Sequence, residues 1–486
     1  MRVSTLLVLF YILALVPPLA AQQAEVKALT LQEAVRFALQ NTNTAKNARL
    51  NEELVRARNW EITATGLPTL NAEFGYAYYY RRPISPAFNM FFADTTSAQS
   101  KIFRHLAQQD PVIGQILYQN AIASKDMEFS FVLPHNINSS LTISQLLFDG
   151  RYLIGLKATR DFSKTARLQT ELSDIEIKYN VTKAYYQAAA ASEIVRLLNQ
   201  NLQIIEKLLS DTRAVYKEGL LEELDVNRLE LAEAQLKSQI NLQKQLAKVA
   251  LDNLKFQMGM RLNDELVLKD NLEDLRAAIT LEVEPKFDIN KRPEKELLET
   301  AIKLRGYDVA QRRSGHFPTL FAYLNYGWQA QANSLRQIFE TTVITYPDGD
   351  TRRQNQWFDQ GLVGVTLKVP IFDSGSRMAS VKQAKLELQK MQNDLENFKN
   401  AAELQYRAYR SAFDAALIEE VNQQRAAELS EKIFKTNQIK YKEGVGNSFE
   451  LVQSENDFAT NQIKRVQSVL NLLNAKADLD KAMGIR

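Results

Sequence analysis

One phrase occurs twice in this chain, and its surroundings limit what the chain can fold into. Tyr216-Lys217-Glu218-Gly219 and Tyr441-Lys442-Glu443-Gly444 stand 225 residues apart. Each closes a helix-forming stretch of nearly seventy residues, and each is followed by roughly forty more that end in Met-Gly, at Met258-Gly259 and Met483-Gly484. At about 1.5 Å per residue the longer stretch would reach roughly 100 Å, far beyond a globular helix. A glycine just past the last helical turn accepts the left-handed backbone that ends a helix. Each phrase therefore reads as the turn of a long helical hairpin, and the two turns as neighbours at one end of the molecule.

The long stretches carry coiled-coil seams, apolar residues spaced alternately three and four apart. In the first the seam is Val181, Ala184, Ala188, Ala191, Val195, Leu198, Leu202, Ile205 and Leu209. In the second it is Val381, Ala384, Leu388, Met391, Leu395, Phe398, Ala402, Gln405, Tyr409 and Ala412. The expected hairpins span 150–259 and 374–484. A shorter helix is expected over 30–66, opened by a Thr30/Glu33 capping box, interrupted at Asn41-Thr42-Asn43-Thr44 and stopped near Pro68. Another is expected from Pro293 to about Gly315, and 260–292 has no clear pattern.

Between helices the period changes to two. Leu70, Ala72, Phe74, Tyr76 and Tyr78 fall on one face, with Asn71, Glu73 and Gly75 on the other, so a strand is expected over about 69–80. Further alternation predicts strands at about 129–148, 319–330 and 361–372. Loops are expected over 81–128 and 330–357. Leu67-Pro68-Thr69-Leu70 returns as Phe317-Pro318-Thr319-Leu320 at an offset of 250, and Phe148-Asp149-Gly150 as Phe372-Asp373-Ser374-Gly375 at an offset of 224. The chain is thus a duplication, 22–285 and 286–486, whose first inter-strand loop is about 26 residues longer, as an exposed connection tolerates.

Arg2, the apolar run Leu6 to Val16 and the small residues before Gln22 read as a secretory signal over 1–21. That core is too short to span a bilayer, which takes about twenty residues. No later stretch reads as a transmembrane helix, so an exported chain of this kind is soluble or a β-barrel. With 60 basic against 57 acidic residues, a net charge of +3 carries no nucleic-acid signal. There is no cysteine, which removes disulfides and thiolate chemistry. His105, His135 and His316 are scattered, no phosphate-binding glycine loop occurs, and neither enzymatic activity nor a cofactor or metal is expected.

Two strands per half do not make a stable sheet alone, and four per chain do not close a barrel. Symmetric assembly answers this: two copies give eight strands, about filled by side chains, and three give twelve and leave a pore. The alternating faces suit lipid on one side and water on the other, and Tyr78 to Tyr80, Trp328 and Trp357 suit an interfacial aromatic girdle. The alternative is a soluble β-hairpin domain on a coiled-coil stalk, acting as a periplasmic scaffold or adaptor.

In order and duplicated spacing, the Pro-Thr-Leu and Phe-Asp landmarks, Asn290-Lys291-Arg292-Pro293-Glu294, the two Tyr-Lys-Glu-Gly turns and the two Met-Gly pairs resemble the TolC-type outer-membrane efflux proteins over essentially the whole mature sequence. The resemblance implies a mainly α protein with a membrane β-barrel: a homotrimer whose four strands per chain build a 12-stranded barrel in outer-membrane lipid, and whose hairpins build a periplasmic α-barrel. It implies the outer membrane of a Gram-negative bacterium, and a passive exit duct joined through a periplasmic adaptor (membrane fusion protein) to an inner-membrane pump of RND or ABC type. The cargo would be small molecules in tripartite efflux, or protein in type I secretion.

The resemblance also places candidate residues at the periplasmic mouth. Gly219 and Leu220, with Gly444 and Val445, match the hairpin tips where adaptors dock. Asp225 matches an acidic residue bonded to a tyrosine, and Tyr441 matches that tyrosine. Glu450 matches an acidic position ringing the pore, where carboxylates concentrate cations. Gln453 stands where a second acidic residue is expected, and Val215 and Gly446 where arginines are expected. These departures imply a gate of different chemistry.

Overall fold

A computed structural model describes residues 27–83, 98–112 with 115, 132–279, 287–345 and 349–484. The expected signal segment 1–21 lies outside them. The chain forms two compact units: one from Glu61–Leu156 and Ala310–Ala379, the other from the described residues of Met1–Trp60, Lys157–Val309 and Ser380–Arg486.

The first unit is built on a sheet of four antiparallel strands, β2 (Thr69–Tyr78), β3 (His135–Phe148), β5 (Thr319–Ala332) and β8 (Trp357–Lys368), in the order β2-β3-β5-β8. The register sets like against like. Leu70, Ile143, Leu324 and Val363 make one row across all four strands. On the other face Asn71, Thr142 and Asn325 align, and the Asn325 amide donates to Thr142 Oγ1 at 2.7 Å. Among the described strands, β2 and β8 each have one neighbour.

Several details differ from the sequence expectation. The second strand begins at His135, just after Pro134, which has no N–H for a ladder; 129–131 lie outside the described residues. The fourth strand starts four residues before position 361 and stops at Lys368, ahead of Pro370. The span 330–357 is more than a loop. Ile338, in a 3-10 turn over Arg336–Phe339, is fully buried beside Ala330 and Ala332, and β6 (Thr342–Thr345) pairs with β7 (Thr351–Gln354). Within 81–128 a helix, α3, covers Ala98–Gln109.

The second unit is helical. Its frame is two hairpins: α4 (Gly150–Lys217, 68 residues) with α5 (Glu223–Met258, 36 residues), and α8 (Ser376–Lys442, 67 residues) with α9 (Ser448–Met483, 36 residues). Two helices of 22 residues, α2 (Asn43–Ala64) and α7 (Pro293–Ser314), complete it, with α1 (Leu31–Asn41) before α2. The Thr30/Glu33 capping box forms as expected, and Thr42 breaks α1 from α2.

The returning helices are too short to match the long ones, and the same device solves this twice. Gly259 ends α5 at φ +71°, where a Cβ would stand 2.9 Å from Thr42 Cα, at the start of α2. Gly484 ends α9 at φ +70°, where a Cβ would stand 2.9 Å from Lys291 O, at the start of α7. A 36-residue helix thus abuts a 22-residue one in each half. Asn59 and Thr170 bind α2 to α4: the Asn59 amide donates to Thr159 O at 2.9 Å and the Thr170 hydroxyl to Ala48 O at 3.3 Å. Arg292, in the Asn-Lys-Arg-Pro-Glu motif, is buried; it donates to Gln405 of α8 at 3.0 Å and lies over the Phe398 ring.

The α4 seam packs largely as the spacing predicts, with Val181, Ala188 and Ile205 fully buried. In α8 the buried line passes from Tyr409 to Phe413, leaving Ala412 exposed, and continues through Glu420, Ala427 and Phe434. The larger ring takes the core position that alanine would fill poorly. The patternless span 260–292 holds β4 (Leu266–Leu268), which pairs in parallel with β1 (Lys27–Leu29), and α6 (Leu272–Ala277). Tyr185 of α4 supports that pair, donating to Leu29 O at 3.0 Å, while Arg276 of α6 reaches the buried Glu420 of α8 at 3.1 Å.

Gly219→Ala, where no atom lies within 4 Å of the added Cβ, is expected to lose about 1–2 kcal/mol from the left-handed backbone alone. Gly259→Ala and Gly484→Ala are expected to lose more, because the added carbon meets backbone. Thermal unfolding midpoints of the purified proteins check the order.

Candidate functional site

The two turns are built alike. Gly219 N–H reaches Tyr216 O at 2.9 Å and Leu220 N–H reaches Val215 O at 3.3 Å; Gly444 N–H reaches Tyr441 O at 3.2 Å and Val445 N–H reaches Lys440 O at 3.0 Å. This paired pattern satisfies the last carbonyls of a helix and needs positive φ at the glycine, here +75° and +74°. It throws the next side chain outward: Leu220 is 76% exposed and Val445 is 78% exposed. Phe449 and Leu224 are exposed close by in sequence, so the two tips carry apolar groups that the described residues do not cover.

Just inside the tips the hairpins are joined by a polar contact that the sequence expectation placed differently. Asp225 and Tyr441 were expected to bond each other. Instead Asp225 Oδ1 accepts from Ser448 Oγ at 2.5 Å, and Tyr441 Oη shares a hydrogen bond with Thr212 Oγ1 at 3.2 Å. The reason lies in the start of α9. Asn447 caps that helix, which turns Ser448 inward to full burial beside Asp225. Arg228 Nη1 donates to the same Ser448 hydroxyl at 3.1 Å and stacks over the Phe449 ring at 5.7 Å. One hydroxyl therefore donates to a carboxylate and accepts from a guanidinium, both one turn apart on α5. Asp225 reaches Tyr441 only through its field. Burial, chiefly, and the Asp225 charge raise the Tyr441 pKa, and the Thr212 bond opposes them.

Glu450 and Gln453 are exposed on α9. Glu450 sits in the first turn, where its N–H donates to Asn447 Oδ1 at 2.8 Å and its carboxylate favours the positive end of the helix dipole. Gln453 donates to Asp457 at 3.2 Å. The structure does not bring either into the Asp225–Ser448–Arg228 contact. Sequence reading missed Ser448, Thr212 and Arg228. Ser448 carried a faint signal, a small polar residue after an Asn cap. Arg228 brings a guanidinium close to the hairpin turns, where none stands at 215 or 446.

Higher along the same interface the chemistry is apolar. Phe434 of α8 stacks on Phe458 of α9 at 5.7 Å, and Leu229, Leu208 and Leu451 join the same core. Asn201 of α4 donates to Gln462 of α9 at 2.9 Å. Glu455, 4% exposed, lies inside this seam.

With this geometry in place, the chain can be set beside known proteins. Residues 294–485 match the family described as outer membrane efflux protein. Over 273 residues the chain is 24% identical to the proteases secretion protein PrtF of Dickeya chrysanthemi, across 54% of this chain and 54% of that relative, so it spans about half the length of the curated relative it matches. Among solved structures, a crystal structure of CusC aligns with a TM-score of 0.69 at 14% identity, covering 94% of this chain and 92% of that one. The outer membrane protein VceC of Vibrio cholerae aligns with a TM-score of 0.65 at 13% identity, covering 93% and 96%. The fold is that of outer-membrane channel proteins over nearly all of the chain. The match to the outer membrane efflux protein family lies within its second half.

The Ser448 contact makes a direct prediction. Ser448→Ala leaves Asp225 and Arg228 without their shared partner and is expected to cost about 1–3 kcal/mol. In a double-mutant cycle by denaturant unfolding, Asp225→Ala and Ser448→Ala are expected to couple by roughly 1 kcal/mol or more, and Asp225→Ala and Tyr441→Phe by much less.

Proposed function

We propose that three copies of this chain form an outer-membrane exit duct of a tripartite efflux system, passively passing small molecules from an inner-membrane pump through a periplasmic adaptor. One observation carries the reading: a four-stranded sheet with an exposed apolar row on one face, a mainly polar opposite face, and a single neighbour for each edge strand. Edges of that length are templates for further strand pairing. Joining β2 of one copy to β8 of the next satisfies both, and three copies close a twelve-stranded barrel wide enough for a pore. Its apolar row then meets lipid, in the outer membrane of a Gram-negative bacterium.

The helices support the same assembly. On α5, Leu224, Leu231, Leu242, Val249 and Phe256 form an exposed stripe on the side opposite the buried Leu229, Leu236, Ile240 and Leu254. On α8, Leu404, Ile418, Leu429 and Ile433 do the same opposite Ala402, Glu420, Ala427 and Phe434. A helix apolar on two sides is built for two partners, and the chain supplies one. In the trimer the second stripe meets the neighbouring copy and the helices enclose a periplasmic tunnel. Asp225, Ser448, Arg228, Thr212 and Tyr441 hold its mouth shut, the exposed tips at Leu220 and Val445 take the adaptor, and Glu450, once per copy, rings the entrance and favours cations.

A second reading, a duct for type I protein secretion, is favoured by one observation, the similarity to PrtF, a protein named for protease secretion. A soluble scaffold is disfavoured, since it has no use for an apolar sheet face.

The mature protein is expected in the outer-membrane fraction as a trimer, and recovery only from soluble periplasm would refute the duct. Val249→Glu is expected to give folded monomer, read by light scattering and circular dichroism. Alanine at both Asp225 and Ser448 is expected to raise single-channel conductance in planar bilayers several-fold; unchanged conductance would remove them from the gate. Copurification with adaptor and pump, followed by assay of a dye against a secreted protease, separates efflux from secretion.

A further inference from the structure

Among the described residues of α9, Glu455 is the ionisable side chain that is buried. It lies between Leu451 and Phe458 on the buried side of the helix and is 4% exposed. Leu451 and Phe458 on either side of it belong to the apolar core that joins α4, α5, α8 and α9, the cluster that also holds Leu208, Leu229 and Phe434. Its Oε1 is buried with no hydrogen-bond partner. An ionised carboxylate in such a place is strongly disfavoured, while a neutral carboxyl is tolerated.

Among the described residues no charge compensates it. On α9 itself Asp457 is engaged by Gln453, and Glu450 belongs to the cap. On α5 Arg228 is held by Ser448, and Lys237 lies between Glu206 of α4 and Glu233. On α4 Arg213 pairs with Glu230 of α5, and Lys207 and Asp211 lie on the same stretch. On α8 Lys435 pairs with Glu431, and Tyr441 bonds Thr212. None of these acts on Glu455, and burial alone raises its pKa to about 7.

We propose that Glu455 is a proton-operated catch between the two helical hairpins: protonated, it lets the α9 seam close on α4 and α5; ionised, it loosens that seam and admits water. Where the seam opens, the carboxyl regains the ordinary value of 4.5. The closed seam therefore has its full strength below that value and loses it as pH rises toward 7, with no further loss above. Acid tightens the mouth and neutral pH frees it. The catch is a property of helix packing; its use in setting channel opening rests on the duct reading.

Hydrogen exchange of peptides covering residues 448–462 in the purified full-length protein, corrected for intrinsic rate, tests the catch without any channel measurement. Wild-type protection is expected to fall by about 30-fold between pH 5.5 and 8.5. Glu455→Gln is expected to hold high protection with a flat profile. A flat wild-type profile, or a Glu455→Gln profile with the wild-type slope, overturns the proposal. If Glu455→Gln does not fold, Glu455→Leu is measured in its place with the same flat profile expected. Failure of the leucine variant also to fold overturns the proposal, because removing an unpaired buried carboxylate should strengthen the closed seam.

Discussion

A helix of 68 residues needs apolar cover along its whole length, and no single returning helix here supplies it. The chain meets that demand by abutting helices end to end. The junction works because a glycine with positive φ both ends the first helix and leaves room for the next, at Gly259 against Thr42 and at Gly484 against Lys291. The other features of the helical unit follow from this. Arg292 fixes the second junction to α8, and the β1–β4 pair with α6 binds the neighbourhood of the first.

At the tips the two copies of one turn have diverged around identical backbone geometry. Both glycines close the same hydrogen-bond pattern, so the turns themselves carry no specificity. That resides in what each hairpin offers the other. One gives Asp225 and Arg228, the other gives Ser448, and Thr212 with Tyr441 adds a second bond. A buried hydroxyl with both roles used is costly to strip. The apolar seam behind it holds by burial instead, with the carboxyl of Glu455 inside.

The sheet unit follows a different logic. Long helices satisfy their backbone internally, whereas β2 and β8 each pair on one side within the chain. Its apolar row, from Leu70 to Val363, is exposed among the described residues. The two stripes on α5 and α8 show the same incompleteness in helical form. Sheet and helices alike expose apolar surfaces among the described residues.

Much of this was legible in the residues. Alternation placed four strands, three-four spacing placed the long helices, and the Thr30/Glu33 box and the Tyr-Lys-Glu-Gly turns placed helix ends. All of these arise within a few residues of backbone, where propensity and capping act. The illegible parts join residues far apart. Asp225 and Ser448 are separated by 223 positions, and Tyr185 meets Asp270 across 85. Phe413 rather than Ala412 enters the α8 core because packing chooses the larger ring. By itself the sequence determined the long helices, the four strands of the sheet and their order. Only the tertiary structure decided which polar groups meet beside the turns and that, among the described residues, Glu455 Oε1 is buried without a hydrogen-bond partner. The physical reason is that period and caps are set locally, while partners are set by how two hairpins pack.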